Sequence, residues 1–180
     1  MAINIDLSVN GINDLIKTVN GLHTDIENSE MVVVKQLTKK GAEIGNLTNN
    51  IAPQSGLQKS QVIYRITDKG TKGYVALKGP NAVYDEFGTG TEGAKNAHPL
   101  KGQTTTHLNP YNSGPYIKRG EDGHLYWVYK PMAGKPYFDK KGYTQGIPSG
   151  KQMYTASTYV KFIKDSVIEK EFNSMINRIR

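Results

Sequence analysis

Asp85 and Glu86 are the first residues to test for chemistry. Two adjacent carboxylates can divide general-acid and general-base work when their environments push their pKa values apart. They stand near a predicted β region. Neighbours on a strand point to opposite faces, so the pair would not face one substrate. A polar contact at a strand end or a subunit interface is the expected role. His23, His98, His107 and His124 have no histidine or cysteine two to four residues away, so no metal spacing is present. His98 and His107 share one loop with no carboxylate between them.

Two glycine-rich segments also fail as sites. Gly146-Ile147-Pro148-Ser149-Gly150-Lys151 has three residues between its glycines and Gln152 after the lysine. A phosphate loop needs four, with Ser or Thr after the lysine. A turn capping the final helix explains the segment better. Gly88-Thr89-Gly90-Thr91-Glu92-Gly93 leads into a loop rather than a helix and lacks a surrounding βαβ unit, so it is no dinucleotide fingerprint. There is no G-x-S-x-G and no Ser/His/Asp constellation. No catalytic residue, cofactor or metal is expected.

One aromatic-basic segment remains. Tyr111, Tyr116, Tyr126, Trp127, Tyr129, Tyr137, Phe138 and Tyr143 lie among Lys118, Arg119, Lys130, Lys135, Lys140 and Lys141. Interleaved aromatics and cations can stack bases and track phosphates, which would make the chain a sequence-independent nucleic-acid-binding protein over 111–144. The other reading is aromatic packing at a protein interface.

Composition narrows the field further. The chain has 180 residues, no cysteine, 19 glycines and 11 tyrosines, and its hydrophobic share is 37%. That share is low against the common range of about 45–50%, which counts Gly and omits Tyr, so loop and wet surface are expected in place of a dense α/β enzyme core. The absence of cysteine removes disulfides, thiolate zinc and cysteine nucleophiles, and is compatible with a reducing cytoplasm. Residues 1–10 hold no basic stretch and no apolar run of seven, so no signal peptide is expected. No apolar run approaches the ~18 residues of a membrane span. Net charge is +7. Residues 101–151 carry 8 basic and 3 acidic groups, a local +5 that suits a polyanion or simply a solvated face.

The elements that must position these residues follow from periodicity. Ile3, Ile5, Leu7 and Val9 alternate as a short strand. Ile12, Leu15, Ile16, Val19, Leu22 and Ile26 recur at helical spacing, with Asn10 as N-cap. The pattern resumes at Met31, Val34, Leu37, Ala42, Ile44 and Leu47, weakened by Gly41 and Gly45, and a kink or turn is predicted near Asn28-Ser29. After the turn at 52–56, Val62, Tyr64 and Ile66, then Tyr74, Val75 and Leu77, predict an antiparallel hairpin around Asp68-Lys69-Gly70. Residues 88–115 and 131–150 read as loops, with a second hairpin over about 116–130. The final helix presents Met153, Ala156, Val160, Ile163, Val167, Ile168, Phe172 and Met175, capped by Ser149. The expected fold is α+β: a small antiparallel sheet packed by a long N-terminal helix and a C-terminal helix, with a long loop/hairpin insertion. It forms a single domain over 1–180, with its core in 1–93 and 146–180 and its insertion in 94–145.

The run Ala82-Val83-Tyr84-Asp85-Glu86-Phe87-Gly88-Thr89-Gly90 resembles the Y-x-E-x-G-T signature of the phage HK97 gp10-like family of head–tail joining and tail-completion proteins. The context is similar. A strand and long helix come first, then Pro53-Gln54-Ser55-Gly56-Leu57 in place of a Pro-x-(Ser/Thr)-Gly-x-Leu turn, then a sheet carrying the signature. Pro148 and Ala156 stand where a Pro and an Ala commonly precede the family's final helix. The fifty or so residues over 94–145 exceed the family's usual loop, and Met153-Tyr154 replaces a Pro-Phe pair.

The resemblance implies a bacteriophage structural protein of the head–tail neck. It would be a homo-oligomeric ring, expected to be sixfold, that contacts other neck and tail proteins while DNA passes through its lumen. It implies no membrane partner, a place in the virion, and assembly in the host cytoplasm. Tyr84, Glu86, Phe87, Gly88 and Thr89, with Tyr126, Trp127 and Tyr129, are then expected at subunit or neighbouring-ring contacts. Lys101, Lys118, Arg119, Lys130, Lys140 and Lys141 are expected to face the DNA. Glu86 is expected to satisfy nearby backbone or hydroxyl donors, since a buried carboxylate needs partners.

Overall fold

The apolar stripe that begins at Ile12 does not stop at Asn28. The computed structural model describes residues 9–53, 58–88, 98–100, 117–119, 125–128, 133–136, 139–141, 143–144 and 147–179. In it the stripe runs along one helix, α1 (Val9–Ile51), of 43 residues and about 65 Å at 1.5 Å per residue. The break predicted at Asn28-Ser29 is therefore corrected. Ser29 is fully buried inside the helix, and Arg178 Nη2 reaches its hydroxyl at 3.5 Å. A small side chain here admits a second helix, so the polar pair marks a packing site. Asn10 lies within α1 and is not its N-cap. The strand predicted over 3–9 falls outside the described residues except for Val9, which is helical.

The final helix forms as its spacing predicts and packs antiparallel along the C-terminal half of α1. It is numbered α3 (Gln152–Ile179, 28 residues). A Cβ added to Gly41 would lie 3.1 Å from Val160 and 3.3 Å from Val75, and one on Gly45 would lie 3.0 Å from Met153 and 3.2 Å from Val62. These glycines are the points where the helix and the hairpin close on α1. Each costs about 1 kcal/mol of helix propensity relative to alanine, and close approach of the partners offsets that cost.

The first hairpin is β1 (Gln61–Thr67) and β2 (Lys72–Lys78). It is antiparallel, in a register running from Gln61↔Lys78 to Thr67↔Lys72. Its turn holds Asp68, Lys69 and Gly70 at φ of 51, 55 and 102°, and Lys72 Nζ lies 2.7 Å from Asp68 Oδ2. The next segment departs from expectation. Ala82–Phe87 is a helical turn, α2, rather than part of a sheet. Asp85 N donates to Asn81 O at 2.9 Å and Gly88 N to Tyr84 O at 2.8 Å. A six-residue run is too short for its period to separate helix from strand.

The second hairpin is present as β3 (Ile117–Arg119) and β4 (Leu125–Val128). A third strand, β5 (Tyr143–Thr144), joins them in the order β3-β4-β5, where the sequence reads as loop. Among the described residues, the buried apolar side chains are Val33, Ala42, Ile147, Ala156 and Met175. They fall on α1, α3 and the segment between β5 and α3. The fold is α+β, and its core is the seam between the two long helices and the first hairpin.

Candidate functional site

α2 places Asp85 and Glu86 together at the N-terminus of α3. Both are buried, at 3% and 6% exposure. Because α2 is helical, the pair is not split between two faces of a sheet. Each carboxylate is instead aimed at a different set of donors. Asp85 Oδ2 accepts the hydroxyl of Ser60, at the start of β1. The Asp85 carbonyl accepts Gly150 N–H at 2.9 Å.

Glu86 meets the first turn of α3. Its Oε2 accepts Met153 N–H at 2.8 Å and its Oε1 accepts Tyr154 N–H at 3.0 Å. The first N–H groups of a helix lack intrahelical partners, and the dipole there favours negative charge. Glu86 is thus the cap of α3, supplied from 67 residues away in the chain. Ser149 does not fill that role, and its hydroxyl donates to the Glu86 carbonyl at 2.6 Å. The Gln152 amide, oriented so that its NH2 faces acceptors, adds donations to Glu86 Oε2 at 3.0 Å and to the Asp85 carbonyl at 3.2 Å.

The fourth donor comes from the insertion. His98 is buried, and its Nε2 lies 3.0 Å from Glu86 Oε1. Leu100 N–H donates to His98 Nδ1 at 3.0 Å. A nitrogen that accepts carries no proton, so the ring is the neutral tautomer with Nε2–H donating to Glu86. The contact is a hydrogen bond between a carboxylate and a neutral ring. Phe87 and Tyr154 flank the ring, with centroids at 4.4 and 5.3 Å. Glu86 therefore accepts four donors, matching the roughly four lone-pair sites of a carboxylate.

Gly88 closes the arrangement. Its φ is +75°, and a Cβ there would lie 2.7 Å from both Ile147 O and Ser149 N. Only glycine fits both the backbone and the gap. Beside the cluster, a groove of about 450 Å³ is lined by Ala76, Leu77, Phe87, His98, Tyr154 and Lys161, among others. Of the ionisable groups on its wall, Glu86 and His98 spend their hydrogen-bonding sites on the chain itself, and Lys161 is exposed. A general acid or base needs a proton site within reach of substrate, so the cluster is built to hold three segments together.

Of the residues expected at subunit contacts, Glu86 and Gly88 are buried within their own chain. Tyr84 is 38% exposed and Phe87 half-buried. Thr89, Tyr129, Lys101 and Lys130 lie outside the described residues. The backbones of Lys118 and Arg119 are in β3, opposite Tyr126 and Leu125, and Trp127 stands between Ile117 and Thr144 in the register. Lys140 and Lys141 are exposed. Among the described residues, no group of three His, Asp or Glu side chains could hold a metal, and no helix is long and apolar enough to cross a membrane.

His98 is the residue that sequence reasoning missed. It lies twelve positions after Glu86, in a segment without periodicity, and nothing local marks it as a partner. No family model, curated protein or solved structure matches this chain.

Proposed function

We propose that this chain is a structural protein of a bacteriophage head–tail interface, working in the virion neck as a homo-oligomeric ring through which DNA passes, and that it is not an enzyme. The observation that carries the reading is the use made of the Tyr84–Thr89 signature. Its carboxylate joins the hairpin-α2 unit, the 98–100 segment and α3 at a single point. That is a scaffold's use of the motif, with no acceptor left for a substrate. The resemblance to head–tail joining proteins supplies the assembly, a ring expected to be sixfold and contacted by other neck and tail proteins.

The basic surface suits passage of a duplex without reading its sequence, because phosphate contacts carry no base information. Exposed Lys140 and Lys141 are available for that role. Electron microscopy of the purified protein at high concentration, and of the particle that carries it, tests the reading. Closed rings are expected in one or both. A strict monomer in both settings would contradict it.

A further inference from the structure

The N-terminal third of α1 stands out because nothing among the described residues covers it. Every residue from Ile12 to Thr24 is exposed, about 20 Å of helix. Within it Ile12, Leu15, Ile16, Val19 and Leu22 are 44–56% exposed. An isolated helix shorter than about 12–15 residues is marginal in water. This one contains Thr18, Val19, Asn20, Gly21, His23 and Thr24, all weak helix formers. Thr18 and Thr24 hydroxyls also donate back to the carbonyls of Asp14 and Asn20, a bond that slightly weakens a helix. The segment therefore needs a packing partner.

The spacing says what kind. Ile12, Val19 and Ile26 recur every seven residues, and Leu15 and Leu22 recur every seven between them. These are the a and d positions of a heptad. β-Branched residues at a with leucine at d favour a parallel two-stranded contact. Of the flanking e and g positions, Gly11, Ile16, Thr18 and His23 carry no carboxylate or lysine, so identical helices do not repel over residues 11–23, whereas Asp25 at the last g position is acidic. Asp14 and Lys17 sit off the seam and pair with each other at 3.4 Å. Asp25 and Glu30 would oppose one another at the C-terminal end, which keeps the contact modest.

We infer that residues 12–26 of α1 form a self-association seam that docks in parallel on the same segment of a second copy of this chain. A parallel in-register pair is isologous, each stripe meeting itself about a local twofold axis along α1, so the seam would join copies in pairs and the inference rests on the homo-oligomer part of the proposed function. Five half-exposed apolar side chains offer roughly 900 Å² for a pair, below the ~1,200–2,000 Å² of stable specific interfaces and in the range of weak, transient ones. The seam alone gives a weak, concentration-dependent pair, strengthened when further contacts close an assembly.

The chain has no cysteine, so a single introduced thiol reports the contact. In a parallel in-register pair, Ile12→Cys lies opposite itself, whereas Lys17→Cys faces away. Under mild oxidation of the full-length protein, Ile12→Cys should form the interchain disulfide about tenfold faster than Lys17→Cys. Leu15→Asp with Leu22→Asp should shift sedimentation towards monomer while the circular dichroism of the remaining helices persists. Equal cross-linking rates in a protein that still assembles would overturn the seam and leave the ring reading standing. A wild-type chain that stays monomeric at every concentration and in the particle that carries it, with equal rates, would remove both.

Discussion

Glu86 is a buried carboxylate whose value lies in four donors from three segments. Glu86→Ala leaves those donors without an acceptor, and removing one partner from such a buried network costs about 3–5 kcal/mol. Urea denaturation should show that loss, with Glu86→Gln falling between it and wild type. Gly88→Ala should also destabilise. It forces a side chain into a backbone region, φ 75° and ψ 177°, that essentially only glycine adopts, worth about 1–3 kcal/mol, and against the Ile147 carbonyl besides. Ser149→Ala, by contrast, should cost only about 1 kcal/mol, since its hydroxyl makes a single bond to a carbonyl and caps nothing. A Ser149→Ala loss equal to that of Glu86→Ala would contradict the assignment of the cap. The need for Glu86 to find backbone or hydroxyl donors was expected from the resemblance of the run around it, since a buried carboxylate needs partners. Its partners were not. His98 and the first turn of α3 lie 12 and 67 residues away, and only tertiary packing brings them together.

Among the elements, the two long helices and the first hairpin follow from period alone. Apolar residues at three and four, and then at two, survive any uncertainty at the ends. What the period missed was continuity. Asn28-Ser29, Gly41 and Gly45 look like breaks, yet α1 runs through all of them because each small residue meets a neighbouring element. Gly41→Leu should therefore destabilise by more than the gain in helix propensity. The new side chain would collide with Val160 and Val75, and overpacking of this kind costs about 1–3 kcal/mol. Thermal unfolding of the variant against wild type is the check. α2 was read as part of a sheet because six residues of mixed polarity carry no decisive period. β5 was read as loop because a two-residue strand carries none at all.

At the scale of the molecule, the basic excess and the exposed apolar stripe fall in different parts of the sequence. The first long helix begins acidic, with Asp14, Asp25, Glu27 and Glu30 against Lys17 over residues 9–30. The basic excess falls in 101–151, carried in part by exposed Lys140 and Lys141. A duplex passing the basic region would be held by phosphates. Lys140→Glu with Lys141→Glu should then weaken DNA retention uniformly across sequences and flatten its salt dependence by about one to two contacts. Filter binding at several salt concentrations measures this. The α+β class was legible in the sequence, and so was a basic middle larger than the core needs. The exposed stripe on α1 was legible as a pattern but not as an unfilled one, since a sequence marks apolar faces without saying whether the same chain covers them.

The central claim is that this is a ring-forming scaffold. Native mass spectrometry of the full-length protein across a concentration series addresses it most directly. A discrete closed oligomer, expected at six copies, should grow in at the expense of the monomer. A monomer that persists unchanged to the highest concentration, and is likewise single in the assembled particle, would contradict the account.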